Sequence, residues 1–427
     1  MEGAIHAPLL QQLLNRASLF GSCCFLDNLS YASSLHAQDF LLAAGAAARY
    51  DFVPGSSMEG ADAFIASNRG RWIFGHVSYE LHETLHGTRA SKPDRVGFPL
   101  MTLFVPKVCF RQADGGIEMI VQDDNPDIHA WQKEFMDGSK AFQRNLPDLS
   151  LSPRMTREDY VAVIKKLQEH ILRGDCYEIN FCQEFFAEHV KLDPVQVYLA
   201  LAQQSPNPFA CYYRQDHAHL MCASPERFIT RRGNSIVSQP IKGTAQRFPN
   251  DPRADAASKE ALRLDPKELS ENVMVVDLVR NDLSRVCMQG SVQVDELFGI
   301  YSYPQVHQMI STVSGTLRPS VSFSEILKAT FPMGSMTGAP KLRVMQLIEQ
   351  YESSRRGLFS GSVGYIAPNG DFDFNVVIRS ILYNDLSGYL GYLVGSGITW
   401  YAKPEQEYEE CLWKAGAIRK VLGGGGG

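Results

Sequence analysis

The sequence predicts an α+β fold built on antiparallel β-sheets, and three observations predict it. Strand-rich segments mix with helices without the regular strand and helix alternation of a doubly wound parallel sheet. Hairpin turn signals recur, at Asp114-Gly115-Gly116, Gly233-Asn234 and Asn369-Gly370. The 427 residues, 44% hydrophobic and 21% charged, suffice to bury a large core in one or two domains.

In order along the chain, Pro99 to Arg111 and Ile117 to Gln122 read as neighbouring strands about the Asp114 turn. A linker rich in Pro, Ser and Leu, Asn145 to Pro153, leads to Thr156, which opens a capping pattern with Asp159. The helix that follows repeats Tyr160, Ile164, Leu167 and Ile171 at helical spacing and stops at Gly174. Tyr177 to Cys182 alternates as a strand should. Pro194 opens a short helix, and Phe209 to Arg214 and His219 to Ala223 are strands. Lys267 to Arg285 and Pro340 to Ser353 read as helices. Ser362 to Ala367 and Asp371 to Leu382 form a hairpin, Tyr389 to Tyr401 is a further strand, and Pro404 opens the last helix. The chain thus divides into a strand-rich N-terminal region (1–150), a body that carries the motifs (154–422) and a flexible glycine tail (423–427).

A net charge of -6 and a pI near 6.0 offer no basic surface for nucleic acid, so a small anionic ligand needs a local cationic pocket. The nine cysteines are scattered with no CxxC spacing, which points to inert thiols in a reducing compartment, the cytoplasm. No apolar run approaches the roughly 20 residues that span a bilayer, and no basic and apolar leader opens the chain, so no membrane association is expected.

Four segments carry candidate chemistry. Ser224 to Arg247 reads as a hairpin about Gly233-Asn234, and antiparallel pairing brings Glu226 and Lys242, an acid and an amine, near one another. Taken alone, the pair is better read as an ordinary surface ion pair. Glu268 and Glu271 lie one turn apart on a helix, and Glu407 and Glu410 repeat that spacing on the last helix. Four converging carboxylates repel unless a hard cation such as Mg²⁺ sits among them, although each pair judged by itself is better read as a solvated helix face. Gly334 to Lys341 (GSMTGAPK) precedes a helix and offers free backbone N–H groups to a carboxylate, or is simply a tight turn. It departs from the triphosphate loop because Pro340 and Leu342 flank Lys341. Gly395-Ser396-Gly397 interrupts a strand, where glycine lets a ligand approach the backbone.

Together, SPERF at Ser224, PIKGT at Pro240, the run from Glu271 to Val286, GSMTGAPK, GSVGY at Gly361, GSGI at Gly395 and EYEE at Glu407 resemble the chorismate-utilising enzymes, in that family's order. The match runs from about Thr156 to Leu422, and only loosely before that. The resemblance implies a two-part sandwich of large antiparallel β-sheets surrounded by helices, which residues 1–150 complete, with the site in the cleft. It implies Mg²⁺ held directly by Glu271 and Glu410, with Glu268 and Glu407 behind them, and a clamp on a chorismate carboxylate. It further implies that Ser335, Tyr365, Arg379, the backbone at Gly395, Ser396 and Gly397, and Lys414 hold the substrate. Arg379 suits this role because a guanidinium grips a carboxylate with two hydrogen bonds.

Within the family, anthranilate-forming members carry alanine where this chain has Lys242, and members that aminate chorismate at C4 carry lysine. The resemblance therefore implies Lys242 as a nucleophile on C2, Glu226 as the acid for the departing 4-hydroxyl, and ammonia adding at C4. Such an amine needs a lowered pKa and such an acid a raised one. Gln308 stands where histidine is usual, and an amide moves no proton near neutral pH, which suits an enzyme that stops at the aminated product. Glu178 replaces the glutamine usual in aminating members and the lysine that activates water in others. No cysteine lies in a Gly-x-Cys-x-Gly turn, so the ammonia is expected from solution or from a separate glutamine amidotransferase subunit. The alternatives are an anthranilate-forming subunit and a non-catalytic chorismate-binding subunit.

Overall fold

Antiparallel pairing runs through two large sheets that meet across an apolar core. The computed structural model describes residues 7–423 apart from 30, 32–37, 54, 114–115, 124–129, 131–132, 134 and 136–145. The Asp114-Gly115 turn, Asn145 of the linker and the last four glycines lie outside the described residues.

The first sheet has 11 strands and the second 10. In the first, Glu178–Ala187 pairs with Tyr389–Ile398, and the sheet continues through Ser380–Asn384, Ala218–Ser224 and Phe209–Gln215 to the N-terminal strand Ser22–Asp27. In the second, Ile241–Gln246 lies beside Val306–Thr316, followed by Ser235–Gln239, Arg227–Arg232, Phe372–Asn375 and Ser362–Ile366. The N-terminal region supplies strands to both sheets, so it completes the sandwich. One core lies between the sheets, where Phe74, Phe104, Tyr213, Phe374 and Leu393 meet. The other lies between the outer face of the first sheet and helices that contribute Tyr160, Ile164, Leu167 and Leu347.

Local chemistry sets the helices that matter. Thr156 accepts from Asp159 N at 3.1 Å and caps Arg157–Leu172, and Gly174 follows the helix at φ +83°. Asp265 caps Pro266–Ser284 by accepting from the backbone N–H of Lys267 and Glu268, at 2.8 and 3.2 Å. Pro404 occupies the first turn of Pro404–Lys414, where its missing N–H costs nothing.

Three readings need correction. Pro99 to Arg111 is two strands, Met101–Val105 in the second sheet and Val108–Ala113 in the first, broken at Pro106, which cannot donate to a ladder. The segment from Asp371 to Leu382 is not one hairpin arm. Phe372–Asn375 ends in the second sheet, residues 376–379 cross over, and Ser380–Asn384 joins the first. The strand at Glu178 is buried on both faces over its first eight residues, because helices cover one side and the second sheet the other. No helix among the described residues is long and apolar enough to cross a membrane, and all nine cysteines are buried and reduced.

Candidate active site

A cavity of about 560 Å³ opens where the two sheets and two helices meet. Glu226 precedes the strand Arg227–Arg232, which is fixed by Arg227 donating twice to Asp373 at 2.9 Å. Arg227 lies opposite Gln239 across the hairpin, and the ladder then slips between Ile241 and Thr244. That bulge, with Gly243 at φ +99°, turns Lys242 into the same cavity as Glu226. A β-carbon at Gly243 would meet Glu268 Oε2 at 3.2 Å in a conformation that only glycine adopts freely.

Glu226 is 3% exposed, and burial pushes its carboxyl up to about 7 against the pull of the Ser335 hydroxyl, the Ile241 N–H, Lys242 and Arg379. The raised acid required of a proton donor is therefore present. Lys242 behaves otherwise. Burial pulls its amine down, but the carboxylates of Glu178 and Glu271 outweigh burial and raise it. Its Nζ donates to Glu178 Oε1 at 2.5 Å and lies 3.8 Å from Glu271 Oε2. The expected lowered amine is thus corrected, and the cause is the pair of carboxylates, Glu178 foremost and Glu271 after it.

Arg379 sits at φ +51° in the crossover between sheets, a strained conformation for a non-glycine residue. Among the described residues its guanidinium is in no ion pair, and burial lowers it to about 10. A partly desolvated cation on the cavity wall is a receptor for a carboxylate. Ser335 lines the same wall, and the backbone beneath it is held by Asn180, whose Nδ2 donates to Ser335 O at 3.2 Å.

Gly395 and Gly397 line the cavity, whereas the Ser396 side chain lies on the opposite face beside Tyr160, as the two-residue period of a strand requires. A β-carbon at Gly397 would meet Glu178 Oε1 at 2.7 Å, Lys242 Nζ at 2.8 Å and Glu271 Oε2 at 3.1 Å. Lys414 lines the cavity but is already engaged, donating to Glu410 Oε1 at 2.7 Å and Gly395 O at 3.2 Å.

Tyr365 does not reach the site. Its ring packs 5.6 Å from Trp72 and 6.4 Å from Phe74 in the intersheet core, whereas Phe359, in the turn before the strand Ser362–Ile366, does line the cavity.

The four paired glutamates do converge. Glu268, Glu271 and Glu410 line the cavity, and Glu407 is buried beside them at 3% exposure. Burial pushes Glu271 up to about 8 and raises Glu268, while Lys414 more than offsets burial at Glu410 and lowers it. Lys267 reaches among them, its Nζ 3.3 Å from Glu407 Oε1 and 3.8 Å from Glu271 Oε1. Among the described residues no three His, Cys, Asp or Glu side chains stand close enough together to ligate one ion. The donor set nevertheless fits a hard cation, being carboxylate oxygen throughout, and Glu271 Oε1 and Glu407 Oε2 are buried without a hydrogen-bond partner.

Sequence reasoning missed Lys267 and Asn180. The only signal for Lys267 was its place beside Glu268.

Residues 28–420 match the family described as chorismate binding enzyme. Over 270 residues the chain is 40% identical to aminodeoxychorismate synthase component 1 of Escherichia coli K12, a match that covers 63% of this chain and 58% of that protein. The chain thus spans little more than half the length of that relative. It is 34% identical over 358 residues to an anthranilate synthase component I-like protein of Synechocystis, covering 83% of this chain and 73% of that one. The fold superposes on anthranilate synthase component I from Streptococcus pneumoniae with a TM-score of 0.79 at 23% identity, covering 92% of this chain and 94% of that one. It superposes on the menaquinone-specific isochorismate synthase of Escherichia coli at 0.76 and 19% identity, covering 99% and 92%.

Proposed function

The chain belongs to the chorismate-binding enzyme family, and on that premise we propose that it aminates chorismate with ammonia to give 4-amino-4-deoxychorismate, feeding 4-aminobenzoate and folate synthesis. One observation carries this reading: a buried amine, Lys242, and a buried acid near neutrality, Glu226, share a cavity with Arg379, a cation in no ion pair among the described residues. The 40% identity to an aminodeoxychorismate synthase component supports it.

In this reading Arg379 and Ser335 hold the carboxylates of chorismate and set the ring between Lys242 and Glu226. Lys242 first gives up a proton, and Glu178 Oε1, at 2.5 Å, is the nearest acceptor. The Lys242 lone pair then forms a bond to C2, the ring double bond shifts, and the C4–O bond breaks as Glu226 protonates the hydroxyl, which leaves as water. Ammonia forms the bond to C4, the double bond shifts back, and the C2–N bond breaks with its electron pair returning to Lys242. The added nitrogen returns a proton to Glu226. Glu271 and Glu410, with Glu268 and Glu407 behind them, would hold Mg²⁺, which would supply charge neutralisation for a substrate carboxylate.

The ammonia comes from a separate glutamine amidotransferase subunit, a partner that the relative's designation as component 1 supports. Nine buried, reduced cysteines support a reducing compartment, the cytoplasm.

Purified chain incubated with chorismate, ammonium and Mg²⁺ tests the reading, with products identified by mass. Accumulation of 4-amino-4-deoxychorismate, lost in Lys242→Ala, is the expected result. Anthranilate as the product overturns it in favour of an anthranilate synthase, and chorismate binding without turnover, with or without an amidotransferase, overturns it in favour of a binding subunit.

A further inference from the structure

Lys267 occupies the place among the glutamates that a metal ion would take. The helices Pro266–Ser284 and Pro404–Lys414 are separated by more than a hundred residues of chain, yet Lys267 Nζ contacts Glu271 of its own helix at 3.8 Å and Glu407 of the other at 3.3 Å. Lys267 alone bridges the two helices among the described residues, and it serves the cluster incompletely. Glu271 Oε1 and Glu407 Oε2 stay buried and unbonded, on residues 7% and 3% exposed. Such oxygens cost stability until a donor or cation satisfies them. The other two lysines of the cavity touch the cluster from its edge, each tied also to a partner outside it: Lys414 to Glu410 and Gly395 O, and Lys242 to Glu271 at 3.8 Å and Glu178 at 2.5 Å. Lys267 is also the one with a way out, its side chain being 36% exposed at the N-terminal turn of its helix.

The geometry points to Lys267 as a resident counter-ion that holds the four-glutamate cluster together and that a divalent cation displaces on binding. The inference rests on the reading of Glu268, Glu271, Glu407 and Glu410 as a cation site. In the exchange the ammonium swings to solvent and the carboxylates turn their free oxygens to the incoming ion. Because the ammonium must be expelled first, its attraction to the carboxylates is subtracted from the affinity for the ion. Lys267 thereby keeps the cluster folded without metal and sets the metal concentration at which the site fills.

Calorimetric titration of chelator-treated full-length chain with Mn²⁺, and with Mg²⁺ in competition, tests this without reference to turnover. Lys267→Met should bind Mn²⁺ about tenfold more tightly than wild type, and Lys267→Arg should resemble wild type. Without metal the Met variant should melt at a lower temperature than wild type and gain more on adding Mg²⁺. Equal or weaker binding by Lys267→Met overturns the inference. No binding by wild type or variant at millimolar Mn²⁺ overturns instead the cation reading beneath it, as does binding that survives Glu271→Gln combined with Glu410→Gln.

Discussion

Lys242 Nζ donates to Glu178 Oε1 at 2.5 Å, a hydrogen bond that ties the second sheet to the first across the cleft. The bond fixes the position of the amine above Gly397, and it also keeps the amine protonated until a proton is taken away. Placement and reactivity therefore pull in opposite directions at this lysine.

Glu178→Gln should release that constraint. With the carboxylate gone, the largest raising influence on the amine is lost and the Lys242 pKa falls, so at fixed alkaline pH more of it is neutral. Modification of Lys242 by an amine reagent, followed by peptide mass, should quicken about tenfold or more at pH 8. An unchanged rate would show that Glu178 does not govern the amine.

Glu226 makes activity pH-dependent with a definite sign. Its carboxyl, raised from 4.5 to about 7, donates only while protonated, so kcat should fall as pH rises through about 7. Glu226→Gln should lower kcat about a hundredfold or more and abolish that limb. The same shift predicts that stability falls between about pH 4.5 and 7, because the folded state holds a proton there that the unfolded chain has released. Melting temperatures across that window check the second effect.

Arg379→Ala should raise KM for chorismate about tenfold or more while leaving the melting temperature unchanged or higher. It removes a partly desolvated cation that has no ion-pair partner among the described residues, and alanine keeps the β-carbon that φ +51° already accommodates. A fall in stability with KM unchanged would make Arg379 structural.

The two strand glycines should respond differently to alanine. A β-carbon at Gly397 meets only side-chain ends, those of Glu178, Lys242 and Glu271, which can move. Gly397→Ala should therefore fold and lose activity. At Gly395 the nearest groups are Cys182 Sγ and Phe181 O, both at 2.4 Å, so Gly395→Ala should cost about 1–3 kcal/mol of stability. Denaturant midpoints and product formation for the two variants distinguish these effects.

Caps and turns carried their information locally, and they were legible. Thr156 with Asp159, Gly174, and the prolines at 194 and 404 each mark a helix end by chemistry within four residues. The hairpin that sets Arg227 opposite Gln239 was legible, but Lys242 reaches the cavity from the next strand, through a bulge in its pairing with Val306–Thr316. The misreadings concern relations between distant segments. Whether the chain stays in one sheet or crosses to the other, as at Pro106 and at residues 376–379, depends on which sheet offers the open edge. Tyr365 sits in the strand Ser362–Ile366, none of whose residues lines the cavity. Lys267 gains its role from Glu407, 140 residues away, and Lys242 its raised pKa from Glu178 on the facing sheet.

Covalent attack by Lys242 is tested most directly by incubating wild-type chain with chorismate and Mg²⁺ in the absence of ammonia, quenching in acid and measuring intact and peptide masses. A gain equal to chorismate less one water, mapped to Lys242 and absent from Lys242→Ala, is predicted. Formation of 4-amino-4-deoxychorismate when ammonium is supplied, with no adduct ever trapped at Lys242 and with turnover surviving in Lys242→Ala, would contradict it and assign the lysine a purely electrostatic role.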